Sequence, residues 1–343
     1  MKWCVIGAGG IADRRTIPAL LTDKNNELVA VMDKNPAAAK ATGEKYGVPY
    51  YTDEREMLSA VDATAVYIST PVFCHYEQAM LALSFGKHVF LEKPIGLDGK
   101  ESRLLVEAFK KAGLQLSIGY MMKYHTLHEK AKALIAEGGI GTVNSVRAQF
   151  TCWYPDIPGA WRQTKAASGG GAMMDMGVHC IDLLQYILGS KAKDVVAFHD
   201  TLTFKYEVED SSTVLMRLEN GAQCVVQSNF NIPDEASTWR VEVFGDRGRL
   251  MGSGVIGQVD GGTLDAMFLG EQGAYDAQQD KKDGEREQID VEFGNMYARE
   301  VASFSNSILT GAPVEVPASD AIQVQKVMES AYRSNDEGVC VKL

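Results

Sequence analysis

A glycine-rich turn near the start of the chain contains the residue types that bind a pyrophosphate. Gly7, Gly9 and Gly10 follow a short apolar segment, and Ile11 and Ala12 begin a segment with helical spacing. Glycines permit a tight turn and a close approach of the backbone, and the amides at a helix start attract an anion. The pattern predicts a dinucleotide-binding turn; glycines that only reverse the chain are the alternative.

An acidic residue follows the next apolar segment. Asp33 stands at the end of the predicted strand Leu28–Met32, somewhat further along than the usual distance of about 20 residues. A carboxylate here binds the ribose hydroxyls of NAD and repels the 2′-phosphate of NADP. Asp33 therefore favours NAD, while the neighbouring Lys34 could hold that phosphate and keeps NADP open. An ordinary turn aspartate is the alternative.

A lysine stands at the carboxyl end of another predicted strand, the edge where open α/β sheets bind ligands. Lys93 lies between Glu92 and Pro94, and the proline restricts the lysine backbone. A lysine held there could donate to a substrate hydroxyl and lower the pKa of that hydroxyl. On spacing alone, a surface lysine before a turn is an equal alternative.

Three polar residues occur at helical spacing in a mostly apolar segment. Asp175, His179 and Asp182 occupy positions i, i+4 and i+7, so an α-helix places them on one face. Histidine suits proton transfer near neutral pH, and a carboxylate can orient its ring. The alternatives are a core histidine with a capping aspartate, or a metal pair. We expect no metal, because no second His or Cys cluster stands at ligand spacing.

Residues 1–120 alternate strand-like and helix-like segments, which predicts a parallel sheet covered by helices, a Rossmann dinucleotide-binding domain. The predicted strands are Trp3–Ile6, Leu28–Met32, Ala63–Ile68, His88–Leu91 and Gln115–Ile118. The predicted helices are Ile11–Leu21, Pro36–Tyr46, Val72–Phe85 and Gly99–Ala112.

Residues 121–343 are predicted as a second, α+β domain with a large, mostly antiparallel open sheet, for substrate binding and oligomerisation. Its predicted strands are Val143–Trp153, Val195–Tyr206, Thr213–Leu218, Gln223–Asn229 and Arg240–Phe244, with Asn220-Gly221 as a hairpin turn. Its predicted helices are Leu127–Glu137, Ala172–Leu188, Met296–Leu309 and Ser319–Ser334, of which the last two could pack back on the first domain.

Charge and cysteine content limit the partners and location of the protein. The net charge of −11 over 343 residues argues against nucleic acid, because nothing offsets phosphate repulsion. No apolar run is long enough to span a membrane, and no signal peptide precedes the first strand. The scattered cysteines indicate reduced thiols. We expect a cytoplasmic protein, with the mixed-charge segment 280–287 as a solvated loop.

These motifs together resemble the glucose-fructose oxidoreductase / inositol dehydrogenase / MocA family of NAD(P)-dependent oxidoreductases over essentially the whole chain. The resemblance rests on the glycine turn, Ser69-Thr70-Pro71 with His75, Gly86-Lys87-His88-Val89 before Glu92-Lys93-Pro94, and Gly169-Gly170-Gly171 before Asp175-x-Gly177-x-His179-x-x-Asp182. It implies a Rossmann domain and a domain whose large open sheet often forms an oligomer interface. A homodimer or homotetramer through that sheet is therefore expected, as is a cis peptide before Pro94.

Pattern and resemblance together give the predicted site. The catalytic residues implied by the resemblance are Lys93, Asp175 and His179. The predicted cofactor-binding residues are Gly7, Gly9, Gly10, Ile11, Ala12, Asp33, Lys34, Ser69, Thr70, Pro71, His75, Glu92, Lys93, Trp161 and Arg162. The predicted substrate-binding residues are Tyr120, Lys123, His125, Tyr154, Arg162, Asp175 and His179, although many family members have arginine at the position of Lys123.

The implied reaction is hydride transfer between NAD, or NADP, and a carbinol carbon of a sugar, an inositol-like polyol or a glycoside. His179 would take the hydroxyl proton, Asp175 would orient the imidazole of His179, and Lys93 would stabilise the developing alkoxide. A neutral substrate is favoured, because Arg162 is the one arginine expected in the pocket. Two alternatives stay open: an NAD-dependent glycosidase that uses transient oxidation and elimination, and a non-catalytic NAD-binding sugar sensor.

Overall fold

The apolar segments of the first 120 residues form a six-stranded parallel sheet in the computed structural model, which describes residues 1–271, 277 and 284–343. The sheet comprises β1 (Lys2–Ile6), β2 (Glu27–Met32), β3 (Tyr50–Tyr51), β4 (Ala65–Ile68), β5 (His88–Leu91) and β6 (Leu116–Ile118). The strand order is β3-β2-β1-β4-β5-β6, the Rossmann order, which confirms the predicted fold class. Positions 280–283 of the predicted charged loop lie outside the described residues.

Helices connect these strands, and capping residues fix their ends. They are α1 (Ile17–Leu20), α2 (Pro36–Tyr46), α3 (Glu54–Ala60), α4 (His75–Ser84) and α5 (Gly99–Ala112). Asn35 accepts a hydrogen bond from the amide of Ala37 at the start of α2, and Gly47 ends that helix with a left-handed backbone. The predicted first helix differs, since it contains a π-helical turn, Ala12–Thr16, before α1.

Aromatic rings form the core beside the first sheet. Phe90 stacks on Tyr67 and on Phe304, with ring centroids 5.4 and 5.6 Å apart. Trp3 packs against Phe304 at 5.5 Å, and all four rings are buried. Phe304 comes from a helix near the end of the sequence, so a distant segment completes the core that supports the Rossmann sheet.

Period-two alternation in the later part of the chain gives a second, nine-stranded sheet. Its strands are β7 (Val143–Thr151), β8 (Ala192–Asp200), β9 (Ser211–Leu218), β10 (Gln223–Asn229), β11 (Arg240–Gly245), β12 (Gly248–Ser253), β13 (Thr263–Phe268), β14 (Glu287–Gln288) and β15 (Val341–Lys342). The strand order is β14-β13-β12-β11-β7-β10-β9-β8-β15. Among the strands of the described residues, only β7 and β10 are parallel neighbours, so the sheet is mostly antiparallel, as predicted.

The remaining helices are α6 (Thr126–Ala136), α7 (Lys165–Ser168), α8 (Val178–Leu188), α9 (Met296–Thr310) and α10 (Ala318–Glu337). The predicted helix Ala172–Leu188 contains a π-helical turn, Met173–Gly177, before α8. A π turn holds more residues than an α turn. The α-helical register assumed between Asp175 and His179 is therefore wrong.

One predicted strand extends too far. The prediction Val195–Tyr206 corresponds to a strand that starts at Ala192 and ends at Asp200. The chain leaves the sheet there because the Asp210 carboxylate accepts hydrogen bonds from the amides of residues 202–204, at 2.8–2.9 Å. These amides are therefore unavailable to a neighbouring strand.

The described chain divides into two units. The first comprises Met1–Met121, Thr164–Gly169 and Asn295–Gln325, and the second comprises Met122–Gln163, Gly170–Gly294 and Lys326–Leu343. The division falls inside α10, and α9 belongs to the first unit with the Rossmann sheet. All six cysteines are free thiols. Among the helices of the described residues, none combines the length and apolar character needed to cross a bilayer.

A buried glutamate fixes the start of the second π-helical turn. The Glu209 carboxylate accepts hydrogen bonds from the amide of Met173 and the hydroxyl of Tyr332, both at 3.0 Å. Its backbone oxygen accepts from the amide of Ala172, also at 3.0 Å. A Cβ atom on Gly171 would lie 1.9 Å from that oxygen. Close backbone packing, and not a positive φ, therefore requires glycine at this position.

We predict that Gly171→Ala destabilises the protein by about 3 kcal/mol, because the methyl group must displace backbone atoms. Denaturant unfolding followed by tryptophan fluorescence would measure the change. Gly261→Ala is the matched control, since its Cβ would meet no atom within 4 Å, and its effect should stay within about 0.5 kcal/mol. A Gly171→Ala protein that unfolds at the wild-type midpoint would show that this packing does not constrain the chain.

Candidate active site

The predicted glycine turn lies between β1 and the first helix, in the first unit. Gly7 has a φ of 88°, and a Cβ there would lie 2.9 Å from the carbonyl carbon of Ser69 and the amide nitrogen of Thr70. Gly10 also has a positive φ, 53°, but a Cβ there would meet nothing within 4 Å. The turn is therefore packed on its sheet side and open at Gly10. This geometry fits the approach of a pyrophosphate.

Asp33 lies beside this turn, as predicted from its place after β2. One carboxylate oxygen, Oδ2, accepts a hydrogen bond from the amide of Gly9 at 3.3 Å. The other oxygen accepts from the amide of Asn35 at 2.9 Å, and Lys34 is exposed. Asp33 is thus both a turn residue and a neighbour of the glycine turn, so the two interpretations of this residue are compatible.

His75 connects two predicted cofactor-binding segments of the first unit. Its ring nitrogens face the backbone oxygens of Thr70 and Pro94 at 2.9 and 2.8 Å. Burial lowers the pKa of His75 to about 4, so the ring is neutral at pH 7 and donates to one of these oxygens. We therefore assign His75 to positioning these segments. Ser69 makes a similar link, since its hydroxyl donates to the backbone oxygen of Gly7 at 2.7 Å.

The Glu92-Lys93-Pro94 segment follows β5 directly. The Lys93–Pro94 peptide bond is cis, as the resemblance implies. Glu92 accepts a hydrogen bond from the hydroxyl of Tyr67 at 2.7 Å, and Tyr67 accepts one from Thr16 at 2.9 Å. Burial and the Glu92 carboxylate raise the pKa of Tyr67 well above its usual value, so its hydroxyl stays protonated and can donate. This chain of hydrogen bonds orients Glu92 beside Lys93.

In the second unit, the π-helical turn presents Asp175 to a cation. The carboxylate of Asp175 lies 3.3 Å from the Nε atom of Arg162, and the Arg162 guanidinium lies over the ring of Trp161 at 4.4 Å. Burial raises the pKa of Tyr154, and the nearby Arg162 cation offsets part of that rise. The structure thus brings the predicted residues 154, 161, 162 and 175 together.

His179 is the second residue of α8, and its side chain is buried. Its ring meets the ring of Phe150 edge to face, with centroids 6.3 Å apart. Phe150 in turn meets the indole of Trp239 at 6.4 Å and 90°. Trp239 has a φ of 42°, and its indole nitrogen donates to the backbone oxygen of Thr151 at 2.8 Å. These rings restrict the orientation of the His179 imidazole.

Asp182 forms a buried ion pair with Lys123. The Lys123 Nζ atom lies 2.9 Å from the Asp182 carboxylate, and both side chains are at most 5% exposed. Burial makes the charge of each residue depend on the other. Asp175 and Asp182 therefore interact with different cations, which the predicted helix face did not reveal.

Two other predicted substrate-binding residues, His125 and Tyr120, are buried, and His125 also contacts the backbone. His125 begins α6, where its Nδ1 atom accepts from the amide of Leu127 at 3.3 Å and its Nε2 atom faces the backbone oxygen of Gly261 at 3.0 Å. These contacts give His125 a structural role, and its assignment to substrate binding stays a prediction. Tyr120 is buried in the first unit.

Sequence reasoning missed Glu209, Tyr332 and Phe150. Glu209 is one of three acidic residues between β8 and β9, with Glu207 and Asp210, a place where acids usually face solvent. The apolar Val208 before Glu209 is the one local sign of burial. Tyr332 lies in a helix far away in sequence, and its contact with Glu209 could not be inferred from spacing.

The Rossmann strand order and the glycine turn define a nicotinamide-dinucleotide-binding protein. The family model for the oxidoreductase family with an NAD-binding Rossmann fold matches residues 1–120. The model for the GFO/IDH/MocA C-terminal domain matches residues 128–251. The chain belongs to the GFO/IDH/MocA family of NAD(P)-dependent oxidoreductases, which confirms the resemblance.

Individual relatives match nearly the whole chain. It is 28% identical to the 1,5-anhydro-D-fructose reductase of Ensifer adhaerens, over 90% of this chain and 88% of that one. It is 27% identical to the D-glucoside 3-dehydrogenase of Escherichia coli K12, over 100% and 97%. The solved aldose-aldose oxidoreductase from Caulobacter crescentus, complexed with glycerol, superposes with a TM-score of 0.89 at 26% identity, covering 100% of this chain and 99% of that one.

We predict that Lys123→Met destabilises the protein by about 3–5 kcal/mol, because it leaves the Asp182 charge buried without its cation. Denaturant unfolding would measure the change. The double variant Lys123→Met/Asp182→Leu should regain much of that stability. A single variant as stable as wild type would contradict the assignment of a buried, charged pair.

Proposed function

We propose that this protein transfers a hydride between NAD and a carbinol carbon of a sugar, polyol or glycoside. The observation that carries the proposal is the similarity of the whole chain to proteins named for redox chemistry on sugars. The retained Lys93, Asp175 and His179 support a catalytic protein over a ligand sensor. When bound, the nicotinamide accepts the hydride on oxidation and returns it on reduction.

The residues of the second unit would handle the proton. His179 accepts the proton of the reacting hydroxyl, and the rings of Phe150 and Trp239 limit how far its imidazole can turn. Asp175 lies beside the Arg162 cation, 3.3 Å from its Nε atom, which favours the charged form of the carboxylate. A fixed negative charge on this segment favours the protonated imidazole that the transfer produces.

Lys93 would act on the oxygen of the same hydroxyl. Its ammonium group donates a hydrogen bond and stabilises the developing alkoxide charge. Glu92, held by Tyr67, and the ring of Pro94 limit the freedom of the lysine backbone. The position of Asp33 at the glycine turn supports NAD over NADP, because a 2′-phosphate would meet its carboxylate.

The open face of the second sheet supports self-association. Val196, Leu215 and Val225 are neighbours in adjacent strands on this face, and Leu215 is 44% exposed. Phe198 lies two residues after Val196 in β8, on the same face, and is 66% exposed. An exposed apolar patch on a sheet face is typical of a protein interface, so we propose a homodimer or homotetramer through it.

A screen of sugars, inositols and glycosides, with NAD and NADP in parallel, would test the proposed activity through the absorbance of reduced nicotinamide. We expect turnover with NAD, and a loss of kcat of at least about a hundredfold in both Lys93→Met and His179→Ala. Lys100→Met is the control, because Lys100 is an exposed lysine of the unit that contains Lys93, and this variant should keep the wild-type kcat. Near-wild-type turnover in both active-site variants, or no turnover with any compound, would overturn the proposal.

We predict that Leu215→Lys breaks the oligomer, because a charge replaces an apolar side chain at the centre of the patch. Light scattering after size-exclusion chromatography gives the mass in solution. Leu104→Lys, on α5 and 42% exposed, is the matched control and should keep the wild-type mass. A monomeric wild-type protein, or an unchanged Leu215→Lys oligomer, would contradict the interface.

A further inference from the structure

Several loops of the second unit leave its sheet from the same end as the proposed catalytic segment. Asn229 of β10 pairs with Thr151 of β7 and with Ser211 of β9, and Ser211 pairs with Asp200 of β8. The segment after Thr151 and the loop 201–210 therefore emerge side by side. Gly177 packs at this end too, since a Cβ there would lie 2.8 Å from the hydroxyl of Ser228.

The loop 201–210 is held rigidly by a fully buried carboxylate. Asp210 accepts hydrogen bonds from the amides of Leu202, Thr203 and Phe204 at 2.9, 2.8 and 2.9 Å, and from the side-chain amide of Asn231 at 3.1 Å. Asp210 has no exposed surface, whereas Leu202 is 72% exposed. Burying a polar group is costly unless it is hydrogen-bonded, and here the hydrogen bonds of Asp210 fix a loop that shows apolar side chains to solvent. A rigidly held loop with exposed apolar side chains is expected where the loop surface binds a ligand or a partner.

A row of aromatic rings runs along this loop. Trp153, which is 44% exposed, meets Phe204 edge to face at 5.0 Å. Phe204 stacks on Tyr206 at 5.5 Å and 28°, and the Tyr206 hydroxyl donates to the backbone oxygen of Tyr154 at 3.2 Å. The row therefore has three contiguous rings, with its outer end open to solvent.

The inner end of the row reaches the proposed catalytic segment. Tyr154 and Tyr206 pack against the cluster that contains Ala172 and Met176. Tyr154 also lies near Arg162, the cation beside Asp175. The aromatic row is thus continuous with the residues to which we assign proton transfer, and it extends outward from them.

We propose that Trp153, Phe204 and Tyr206 form an aromatic subsite for a part of the substrate that does not react: the second ring of a disaccharide or the ring of a glycoside's aglycone. The C–H faces of a sugar, or an aromatic aglycone, stack on such rings. The rigid loop lowers the entropy lost on binding. This inference rests on the proposed function, and it narrows the substrate class to glycosides larger than a monosaccharide.

Kinetics on matched series would test the subsite. The probes are D-glucose, D-galactose and D-xylose, each as the free sugar, the methyl β-glycoside and the phenyl β-glycoside, together with cellobiose. In the series that reacts best, we expect kcat/KM for the phenyl glycoside or the disaccharide to exceed that for the methyl glycoside by at least about tenfold. Phe204→Ala should reduce this ratio at least about fivefold.

Phe268→Ala is the matched control, since it removes another partly exposed phenyl ring of the same unit, on β13. It should keep the wild-type ratio. A wild-type ratio near one, or a ratio that Phe204→Ala leaves unchanged, would overturn the subsite while leaving hydride transfer intact. A mass in solution that changes in Phe204→Ala, with an unchanged ratio, would instead show that the rings contact another copy of the chain.

A binding measurement separates the subsite from the reaction. The indole resonances of the protein are recorded with NAD present during titration with phenyl β-D-glucoside, and Trp153→Phe assigns the Trp153 signal. We expect the Trp153 resonance to shift while that of Trp3, buried in the first unit, does not. If no compound is oxidised, the proposed function fails, but this titration still decides whether the subsite exists. A Trp153 resonance that does not move would overturn it.

Discussion

Close backbone packing at two glycine positions is the constraint on which both units depend. At Gly7 the turn after β1 lies against the end of β4, and at Gly171 the start of the π-helical turn lies against the backbone of Glu209. In each case a side chain would occupy space that the neighbouring backbone already fills. The positions of the glycine turn proposed to bind the pyrophosphate and of Asp175 therefore follow from the absence of a Cβ atom.

Buried polar side chains then hold in place the segments whose close packing the glycines permit. The Glu209 carboxylate accepts a hydrogen bond from the amide of Met173, and the Asp210 carboxylate accepts from the amides of a surface loop. The side chains of Lys123 and Asp182 form a buried ion pair. Burial raises the pKa of Glu209, which shows that its environment disfavours the charge. Groups of this kind are expected where a defined geometry matters more than stability alone. All of them belong to the second unit, together with the residues proposed to handle the proton.

The sequence predicted most of the first unit, because its signals are local. The caps at Asn35 and Gly47 mark α2 at the predicted residues, and the strand order follows from alternating strands and helices. The second unit was predicted less completely. Nothing in the segment around Asp175 distinguishes a π turn from an α-helix. The early end of β8 depends on hydrogen bonds that Asp210, which lies beyond the predicted strand, accepts from the backbone. The cations beside Asp175 and Asp182 come from Arg162 and Lys123, which only the folded chain brings near.

The most direct measurement of the central claim is the fate of a carbon-bound deuterium. The enzyme is incubated with NAD and a reactive sugar or glycoside that carries deuterium on its carbons, and the cofactor is analysed by NMR. Hydride transfer predicts that one deuterium appears at C4 of the reduced nicotinamide, on one face of the ring. Substrate that is converted while the nicotinamide acquires no deuterium at any stage of the reaction would contradict the account.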